Sequence, residues 1–388
     1  MKYNFDIIHD RKNTGSLKWD CAEKRGKPAD VLPLWVADMD FKVPAEVEEA
    51  LVKSARHGIF GYSEPEDSYF EAVQSWFSER FGYKSETEWI VLTPGIVFAL
   101  AVAVRSFTEA GDSVMLQQPV YHPFANVILD NSRKLVNNSL VYRDGRYSID
   151  FEDFERKIIK NKVKLFILCS PHNPVGRVWT AEELTKMGEI CLRHKVLVAS
   201  DEIHCDFVYE PHRHTVFAAL NPKFADNSII LTSPGKTFNL AGLQASNIFI
   251  TNPDLRKRFV DGLEASGYSQ LNTMGLVSCE AAYRYGGSWL DELKEYLAGN
   301  IRAVSEFAEA AGIKLIPTEG TYLVWLDFSS LGIKNRRLED LFLNQAKLWL
   351  CNGLIFGKEG EEFWRINIAC PRKILEEALE RIKLVINR

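Results

Sequence analysis

The chain has 388 residues, of which 46% are hydrophobic and 26% are charged; this composition is typical of a folded globular protein and excludes a disordered or fibrous one. A chain of this length can form roughly two or three domains. The 47 lysines and arginines and 52 aspartates and glutamates leave a formal net charge of −5, without a basic run, so nothing in the charge predicts nucleic-acid binding.

The cysteines are scattered along the chain, and none belongs to a Cys-x-x-Cys pair. This pattern predicts neither a disulfide framework nor a zinc site, and we expect no metal centre. The first residues lack the apolar core of a signal peptide, and no run of about 18 apolar residues predicts a membrane-spanning helix. We therefore expect a reduced, soluble protein of the cytoplasm that has no membrane partner.

Residues 1–45 show no regular pattern, whereas the following part of the chain alternates between two patterns. Short apolar runs predict strands that are buried on both faces, and they lie at residues 89–92, 113–116, 165–169, 196–200, 228–232 and 247–251. Helical patterns separate these runs. In the one at 181–194, Thr180 is the predicted N-cap, and Glu183 completes a capping box. This alternation predicts an α/β fold with a mostly parallel sheet between helices.

The C-terminal part has a different pattern. An amphipathic segment at 288–311 leads into predicted strands at 314–316, 321–327 and 364–369, and residues 372–386 predict a closing helix. We interpret this region, together with the N-terminal segment, as a smaller α+β domain. The predicted organisation is a segment at 1–45 that joins the small domain, a large domain at 46–287 and the small domain at 288–388.

The segment Ser233-Pro-Gly-Lys236 directly follows a predicted strand. Because ligands of α/β sheets bind at the carboxyl ends of the strands, Lys236 lies where a catalytic group is expected. A buried lysine has a lowered pKa and can form a Schiff base with a carbonyl, and Ser233 can offer its hydroxyl to an anion such as phosphate. The alternative is a turn with a solvated lysine, which is what most Ser-x-x-Lys matches are.

Asp201-Glu-Ile-His204 and Ser170-Pro-His-Asn173 follow two other predicted strands. An acidic residue there is costly unless something needs its negative charge, and a protonated pyridine nitrogen would be such a partner for Asp201. A helix N-cap or a surface ion pair is the alternative for Asp201, and His204 alone is typical of a packed residue. Asn173 lies in a turn with its side-chain amide free, which turn chemistry alone also explains.

Three further segments are candidates on similar grounds. Gly95 and Ile96 follow a strand and open a helix, so their amides can hold an anion. Tyr121 follows another strand and offers an aromatic face, although a core tyrosine is the alternative. Arg365 lies among apolar neighbours in a predicted strand and can hold a carboxylate with two hydrogen bonds, although a lone strand arginine is usually just exposed.

In their order and spacing, these motifs resemble the fold-type I pyridoxal-phosphate (PLP) enzymes, the aspartate aminotransferase superfamily, over essentially the whole chain. Three segments are similar to the cystathionine β-lyase or C–S lyase branch, namely Trp35-Val-Ala-Asp-Met-Asp-Phe41, His57-Gly-Ile-Phe-Gly-Tyr62 and Ser233-x-x-Lys236-Thr-Phe-Asn-Leu-Ala-Gly-Leu243. The resemblance implies that the large domain binds PLP, that the substrate is a small molecule of the amino-acid class, and that the protein is a homodimer with its sites at the subunit interface.

The resemblance also implies a role for each matching residue. Lys236 would carry PLP and later act as acid and base, Asp201 would pair with the pyridinium nitrogen, and Tyr121 would stack on the ring. These three residues form the predicted catalytic set. Asn173 would bond the ring hydroxyl, and His204 is included among the predicted cofactor contacts.

The remaining implied cofactor contacts concern the phosphate. Ser233 and the amides of Gly95 and Ile96 would hold the phosphate group. Tyr62 would reach in from the second subunit of the dimer.

Substrate binding is implied for Arg365, which would hold the α-carboxylate with help from Asn173 and the backbone near Ala37. Two positions depart from the aminotransferase pattern. Gln244 stands where these enzymes usually carry an arginine, and His204 stands where they commonly have a tyrosine. Both departures fit the lyase branch, and no phosphate-binding role is assigned to Gln244.

The implied reaction is a β-elimination that cleaves L-cystathionine or related cysteine S-conjugates to a thiol, pyruvate and ammonia. An aminotransferase is the alternative, because it uses the same residues until the proton is returned to the cofactor. A non-catalytic regulator on the same fold is a further alternative. The chain has no helix-turn-helix extension, however, and every predicted catalytic position is filled.

Overall fold

The apolar runs of the sequence form strands in the computed structural model, which describes residues 2–386. In chain order the strands are β1 (Leu32–Pro33), β2 (Ile90–Thr93), β3 (Ser113–Leu116), β4 (Lys134–Asn137), β5 (Val141–Arg143), β6 (Arg146–Ser148), β7 (Val163–Cys169), β8 (Leu197–Asp201), β9 (Ser228–Thr232), β10 (Ser246–Phe249), β11 (Lys314–Leu315), β12 (Leu323–Asp327), β13 (Leu348–Trp349), β14 (Cys351–Asn352) and β15 (Phe363–Asn367).

Helices separate most of the strands. In chain order they are α1 (Ala45–His57), α2 (Asp67–Phe81), α3 (Ile96–Phe107), α4 (Pro123–Asp130), α5 (Phe151–Asn161), α6 (Ala181–Arg193), α7 (Pro222–Asp226), α8 (Pro234–Thr237), α9 (Pro253–Ala265), α10 (Thr273–Tyr285), α11 (Gly287–Ala310), α12 (Asn335–Asp340) and α13 (Arg372–Ile386). Within residues 2–386, no helix combines the length and apolar character that a membrane crossing requires.

The largest sheet has seven strands in the order β2-β10-β9-β8-β7-β3-β4. All of them run in one direction except β10, which pairs antiparallel with both β2 and β9. Every residue of β3, β8 and β9 is buried, as expected for strands that are covered on both faces. The predicted α/β class with a mostly parallel sheet is therefore confirmed.

Local sequence signals predict several elements closely. The runs at 113–116 and 228–232 match β3 and β9 to the residue, and the segment at 372–386 matches α13. The capping box of α6 is also formed: the Glu183 N–H donates to the Thr180 hydroxyl at 3.2 Å, and the Thr180 N–H donates to the Glu183 carboxylate at 2.9 Å. These features depend on neighbours in sequence, which explains why they are predictable.

Other features differ from the sequence pattern because they depend on tertiary pairing. The direction of β10 is one, since an apolar run does not encode strand direction and only the one-turn helix α8 and a 3-10 turn lie between β9 and β10. The N-terminal segment is another. Although it shows no pattern of its own, it contains β1, which pairs in parallel with β13 in the register Leu32↔Leu348 and Pro33↔Trp349.

A second, antiparallel sheet has the strand order β11-β12-β15-β14. Its strand β15 is buried at every position, including that of Arg365. Arg365 pairs with Trp325 on one side and with Cys351 on the other. The pairing holds this arginine in the middle of the sheet, where its side chain reaches the end of the large sheet.

The N-terminal segment is fixed by a buried group of charges. Lys18 is fully buried and donates to the Asp40 carboxylate at 2.7 Å. The other oxygen of Asp40 accepts from the Trp19 indole at 2.9 Å and from Arg11 at 2.8 Å. Burial alone would raise the pKa of Asp40, but Lys18, Trp19 and Arg11 outweigh it and hold that pKa below its ordinary value. Arg11 also forms an ion pair with Asp38 at 2.9 Å.

We expect a Lys18→Met variant to lose about 3 kcal/mol of folding free energy, because it leaves the buried Asp40 carboxylate without its ammonium partner. Urea unfolding followed by tryptophan fluorescence measures this loss. Lys24→Met is the matched control, since Lys24 is exposed in the same segment and its loss should cost under about 0.5 kcal/mol. Equal effects of the two variants would show that the buried ion pair does not hold the segment.

Candidate active site

The functional candidates of the large sheet lie at the carboxyl ends of its parallel strands. Gly95 follows β2, Tyr121 follows β3, Asn173 follows β7, Asp201 is the last residue of β8, and Lys236 lies on α8 just after β9. All five line one cavity of about 500 Å³. The edge where parallel strands end is the usual place for a ligand site in an α/β sheet.

Two other parts of the chain complete this cavity. The second sheet contributes Arg365 and Cys351, and the N-terminal segment contributes Trp35 and Ala37. The cavity therefore lies where the two sheets and the N-terminal segment meet. Exposed Leu17 and Ile355 line it as well and mark its open side.

The short helix α8 positions Lys236. Ser233 is its N-cap and accepts from the Gly235 N–H at 3.0 Å, and Pro234 occupies the first helical turn. The Lys236 Nζ donates to the Ala37 carbonyl at 2.7 Å. Burial lowers the pKa of Lys236 to about 8; Arg365 lowers it as well, whereas Asp38 and Asp201 oppose the shift. An amine with this pKa can gain and lose a proton near neutral pH.

Asp201 is a buried carboxyl at the end of β8. It accepts from the Ile203 N–H at 3.0 Å. Burial, helped by the neighbouring Glu202 and opposed by the Ile203 N–H and Lys236, raises its pKa to about 7. A cation placed against Asp201 would stabilise the carboxylate and remove most of this cost.

Arg365 is held in one orientation. It donates to the Asn173 side-chain oxygen at 2.8 Å and to the Trp35 carbonyl at 2.7 Å. It also contacts the Cys351 sulfur at 3.3 Å. Its Nε is buried and has no hydrogen-bond partner within the described chain. A fixed guanidinium with unused donors is suited to a carboxylate ligand.

The start of α3 is a position that could hold an anion. Gly95 precedes the helix with φ of 148°, which favours glycine, and no side chain caps the first turn. The amides of this turn therefore lack helical partners and face the cavity at Ile96. Ser233 and Gln244 line the same region, although the Ser233 hydroxyl donates to the Ala245 carbonyl at 2.6 Å.

The remaining candidates occupy three different positions. Tyr121 lines the cavity and its N–H donates to the Asn173 carbonyl at 3.1 Å. His204 is buried beside the cavity, and its Nδ1 has no partner among the described residues. Burial, with help from Lys236 and Arg365, lowers the pKa of His204 to about 3, so its ring is neutral. Tyr62 is 99% exposed and lies outside the cavity of its own chain.

These groups fit pyridoxal phosphate on chemical grounds. The cofactor has an aldehyde, a basic ring nitrogen, a ring hydroxyl and a phosphate. The cavity offers a buried amine on Lys236, a costly buried carboxyl on Asp201, the side-chain NH2 group of Asn173, whose oxygen accepts from Arg365, and the uncapped amides of α3. Burial raises the pKa of Asp201, and a protonated ring nitrogen beside this carboxyl would offset that effect.

The structure also brings to the site residues that were given no role there from the sequence. Trp35 and Cys351 contact Arg365 directly, and Tyr322 donates to the Ala37 carbonyl at 3.0 Å beside Lys236. The pairing of Cys351 with Arg365 on neighbouring strands could not be predicted, because β14 has only two residues. Trp35 and its neighbour Val36 are half-buried, and both line the cavity.

Known proteins resemble this chain over almost its whole length. The family model described as aminotransferase class I and II matches residues 29–382. Cystathionine beta-lyase PatB of Bacillus subtilis is 44% identical over 386 residues, which cover 99% of this chain and 100% of that protein. Cystalysin of Treponema denticola, whose solved structure contains a pyridoxal 5'-phosphate cofactor, has a TM-score of 0.96 and 40% identity, covering 100% of this chain and 99% of that one. A PLP-bound C–S lyase from Staphylococcus hominis has a TM-score of 0.93 and 32% identity, with the same coverage.

We expect an Asp201→Asn variant of the cofactor-free protein to become more stable than the parent as the pH rises from 5 to 8. The raised pKa means that folded Asp201 keeps a proton that the unfolded chain releases above roughly pH 4, so rising pH favours unfolding of the parent up to about pH 7. Asparagine keeps the hydrogen bond to Ile203 without titrating. The expected gain at pH 8 is on the order of 3 kcal/mol.

Urea unfolding at both pH values measures this gain. Glu49→Gln is the control, because Glu49 is an exposed carboxyl on α1 and its loss should not change the pH dependence. Parallel stability curves for Asp201→Asn and the parent would mean that burial does not raise the pKa of Asp201.

Proposed function

The chain belongs to the class I and II aminotransferase family, and within this family we propose that it is a PLP-dependent C–S β-lyase. It cleaves L-cystathionine or related cysteine S-conjugates to a thiol, pyruvate and ammonia. The observation that carries the proposal is the 44% identity, from end to end, to a protein named as a cystathionine beta-lyase. The meeting of Lys236, Asp201 and Arg365 at one cavity supports it.

Pyridoxal phosphate supplies an electron-accepting ring that stabilises negative charge on the substrate carbon next to the amine. In this proposal Lys236 and Asn173 hold the cofactor, and Asp201 accepts a hydrogen bond from its ring nitrogen. Tyr121 covers the ring. His204 contacts the cofactor as a neutral side chain, which agrees with its lowered pKa.

The uncapped amides of Gly95 and Ile96 would hold the phosphate, and Ser233 would join them by turning its hydroxyl from the Ala245 carbonyl. The helix dipole of α3 favours an anion at this point, which supports the assignment. Gln244 lines the same region and carries no charge. The phosphate contacts proposed for this chain are therefore hydrogen bonds and the dipole of α3, without a charged side chain from Gln244.

Substrate orientation depends on Arg365. Its guanidinium binds the α-carboxylate of the substrate, and Asn173 and the backbone of Ala37 lie beside that carboxylate. This binding places the Cα–H bond of the substrate near the Lys236 amine. Lys236 takes the α-proton as a general base, for which a pKa of about 8 is suitable. The hydrogen bonds from Arg365 to Asn173 and Trp35 fix the guanidinium before substrate arrives, which lowers the entropic cost of binding.

Elimination then breaks the bond between Cβ and sulfur. The electron pair of that bond leaves with the thiolate, and the proton held by Lys236 is available to it. Water hydrolyses the remaining three-carbon fragment to pyruvate and ammonia. The open side of the cavity, at Leu17 and Ile355, leaves room for the substituent on sulfur.

We infer a homodimer in which Tyr62 enters the site of the second subunit and contacts the phosphate. Tyr62 lies on a loop whose apolar side chains are unusually exposed, with Ile59 at 70% and Phe60 at 59%. Such a patch favours burial against another chain. Gln244 stands in place of the usual arginine, and the Tyr62 hydroxyl would supply a further hydrogen bond to the phosphate.

We also propose the domain boundaries of the chain and a cytoplasmic location for the protein. The boundaries at 1–45, 46–287 and 288–388 are supported by the large sheet, whose strands lie between Ile90 and Phe249, and by the pairing of β1 with β13. A cytoplasmic location is supported by the seven cysteines, all of which are free thiols.

We expect Lys236→Ala to abolish covalent attachment of PLP and to lower turnover by roughly 10³-fold or more, because it removes both the attachment point and the general base. Borohydride reduction followed by intact-mass measurement tests attachment, and joint release of pyruvate and thiol from L-cystathionine tests turnover. Lys223→Ala, which removes an exposed lysine on α7, is the control for both readouts. Full turnover by Lys236→Ala would refute its assigned role.

A further inference from the structure

The open side of the cavity carries a second arginine. Arg25 lies at the end of a 3-10 turn, Glu23–Arg25, and lines the cavity together with Leu17, Trp35 and Ile355. Its guanidinium carbon lies 5.3 Å from the centre of the Trp35 ring, in cation–π contact. Gly26 follows with φ of 68° and ends the turn, which keeps Arg25 at this edge.

Trp35 provides a fixed surface for this arginine. Its ring stacks on Trp349 with 4.2 Å between ring centres and 14° between planes, and its carbonyl accepts from Arg365 at 2.7 Å. Arg365 therefore holds the backbone of Trp35 while Arg25 covers the ring. The two guanidinium groups lie at opposite ends of one residue, one deep in the cavity and one at its open side.

The two arginines differ in their partners. Arg365 is buried and bonded to Asn173 and Trp35, whereas Arg25 is exposed and has no carboxylate partner within residues 2–386. Stacking on an indole uses the flat face of a guanidinium and leaves its N–H edge free for a carboxylate. The Arg25 side chain is thus oriented by Trp35 and still able to bind an anion.

The residues that line the cavity do not neutralise the positive charge of Arg25. Its single acidic residue is Asp201, which is buried at the inner end of the cavity beside Lys236. Leu17, Trp35 and Ile355 line the cavity together with Arg25 and contribute apolar side chains to it. A ligand that matches this surface has an apolar chain with a negative charge at its far end.

We propose that Arg25 binds a carboxylate on the leaving group of the substrate, and that it selects cysteine S-conjugates whose thiol half has a short methylene chain ending in a carboxylate. This inference rests on the proposed function, since it assigns the open side of the cavity to the sulfur substituent. Arg365 binds the carboxylate of the cysteine half, and Arg25 binds that of the other half. Cystathionine, with a carboxylate on each side of its sulfur, belongs to this class.

Two matched compounds test the proposal with the PLP-loaded enzyme. S-(3-carboxypropyl)-L-cysteine and S-butyl-L-cysteine have chains of equal length and differ in the terminal carboxylate. We expect Arg25→Gln to lower the ratio of their kcat/KM values about tenfold, mainly through KM for the acidic compound, because a charge-assisted hydrogen bond is lost. The values for S-butyl-L-cysteine should stay unchanged.

Lys24→Gln is the matched control, because Lys24 is an exposed cation in the same turn that does not line the cavity. The Lys24→Gln variant should have the same ratio of kcat/KM values for the two compounds as the parent protein. An unchanged ratio in Arg25→Gln, or an equal fall in both variants, would overturn the proposal. The second outcome would indicate a general effect of surface charge.

Equilibrium binding tests the carboxylate subsite at Arg25 independently of the proposed lyase reaction. The analogues of both compounds that lack the amino group cannot react, and calorimetry with the same proteins gives their dissociation constants. Weaker binding of the acidic analogue to Arg25→Gln alone would support the carboxylate subsite even if no pyruvate forms from either substrate. Equal binding of the two analogues by the parent protein would overturn the subsite while leaving the lyase reaction intact.

Discussion

The burial of the Lys236 amine is the constraint on which the rest of the site depends. A lysine nitrogen that is removed from water needs a hydrogen-bond partner or a lowered pKa. It has both, because the Ala37 carbonyl accepts from it at 2.7 Å and burial brings its pKa to about 8. The same burial raises the pKa of Asp201. The site is thus prepared for a ligand that brings a carbonyl to the amine and a positive charge to the carboxyl.

The carbonyl that receives this amine does not belong to the large sheet. It lies in the N-terminal segment, where Asn239 bonds the backbone of Met39 in both directions, at 2.9 and 3.0 Å, and where Lys18 and Asp40 form a buried ion pair. The charges of this segment therefore determine where Ala37 lies. Folding of the N-terminal segment and formation of the active site are coupled through these contacts.

Much of the site could be predicted from sequence, for a geometric reason. Parallel strands bring their carboxyl ends to one edge, so the residues that follow β7, β8 and β9 had to meet, and Asn173, Asp201 and Lys236 do. The direction of β10 and the positions of Trp35 and Cys351 could not be predicted. These features depend on pairing between segments that are far apart in sequence, such as β1 with β13, and two-residue strands carry no pattern of their own.

The central claim is that proton removal at the Lys236 site leads to loss of a thiol rather than to transfer of the amino group. The most direct measurement follows pyruvate and free thiol from L-cystathionine over many enzyme equivalents, with PLP-loaded protein and no added keto acid. We expect continuous release of the two products in equal amounts. At most one equivalent of keto acid per subunit, without thiol, would contradict it and identify an aminotransferase.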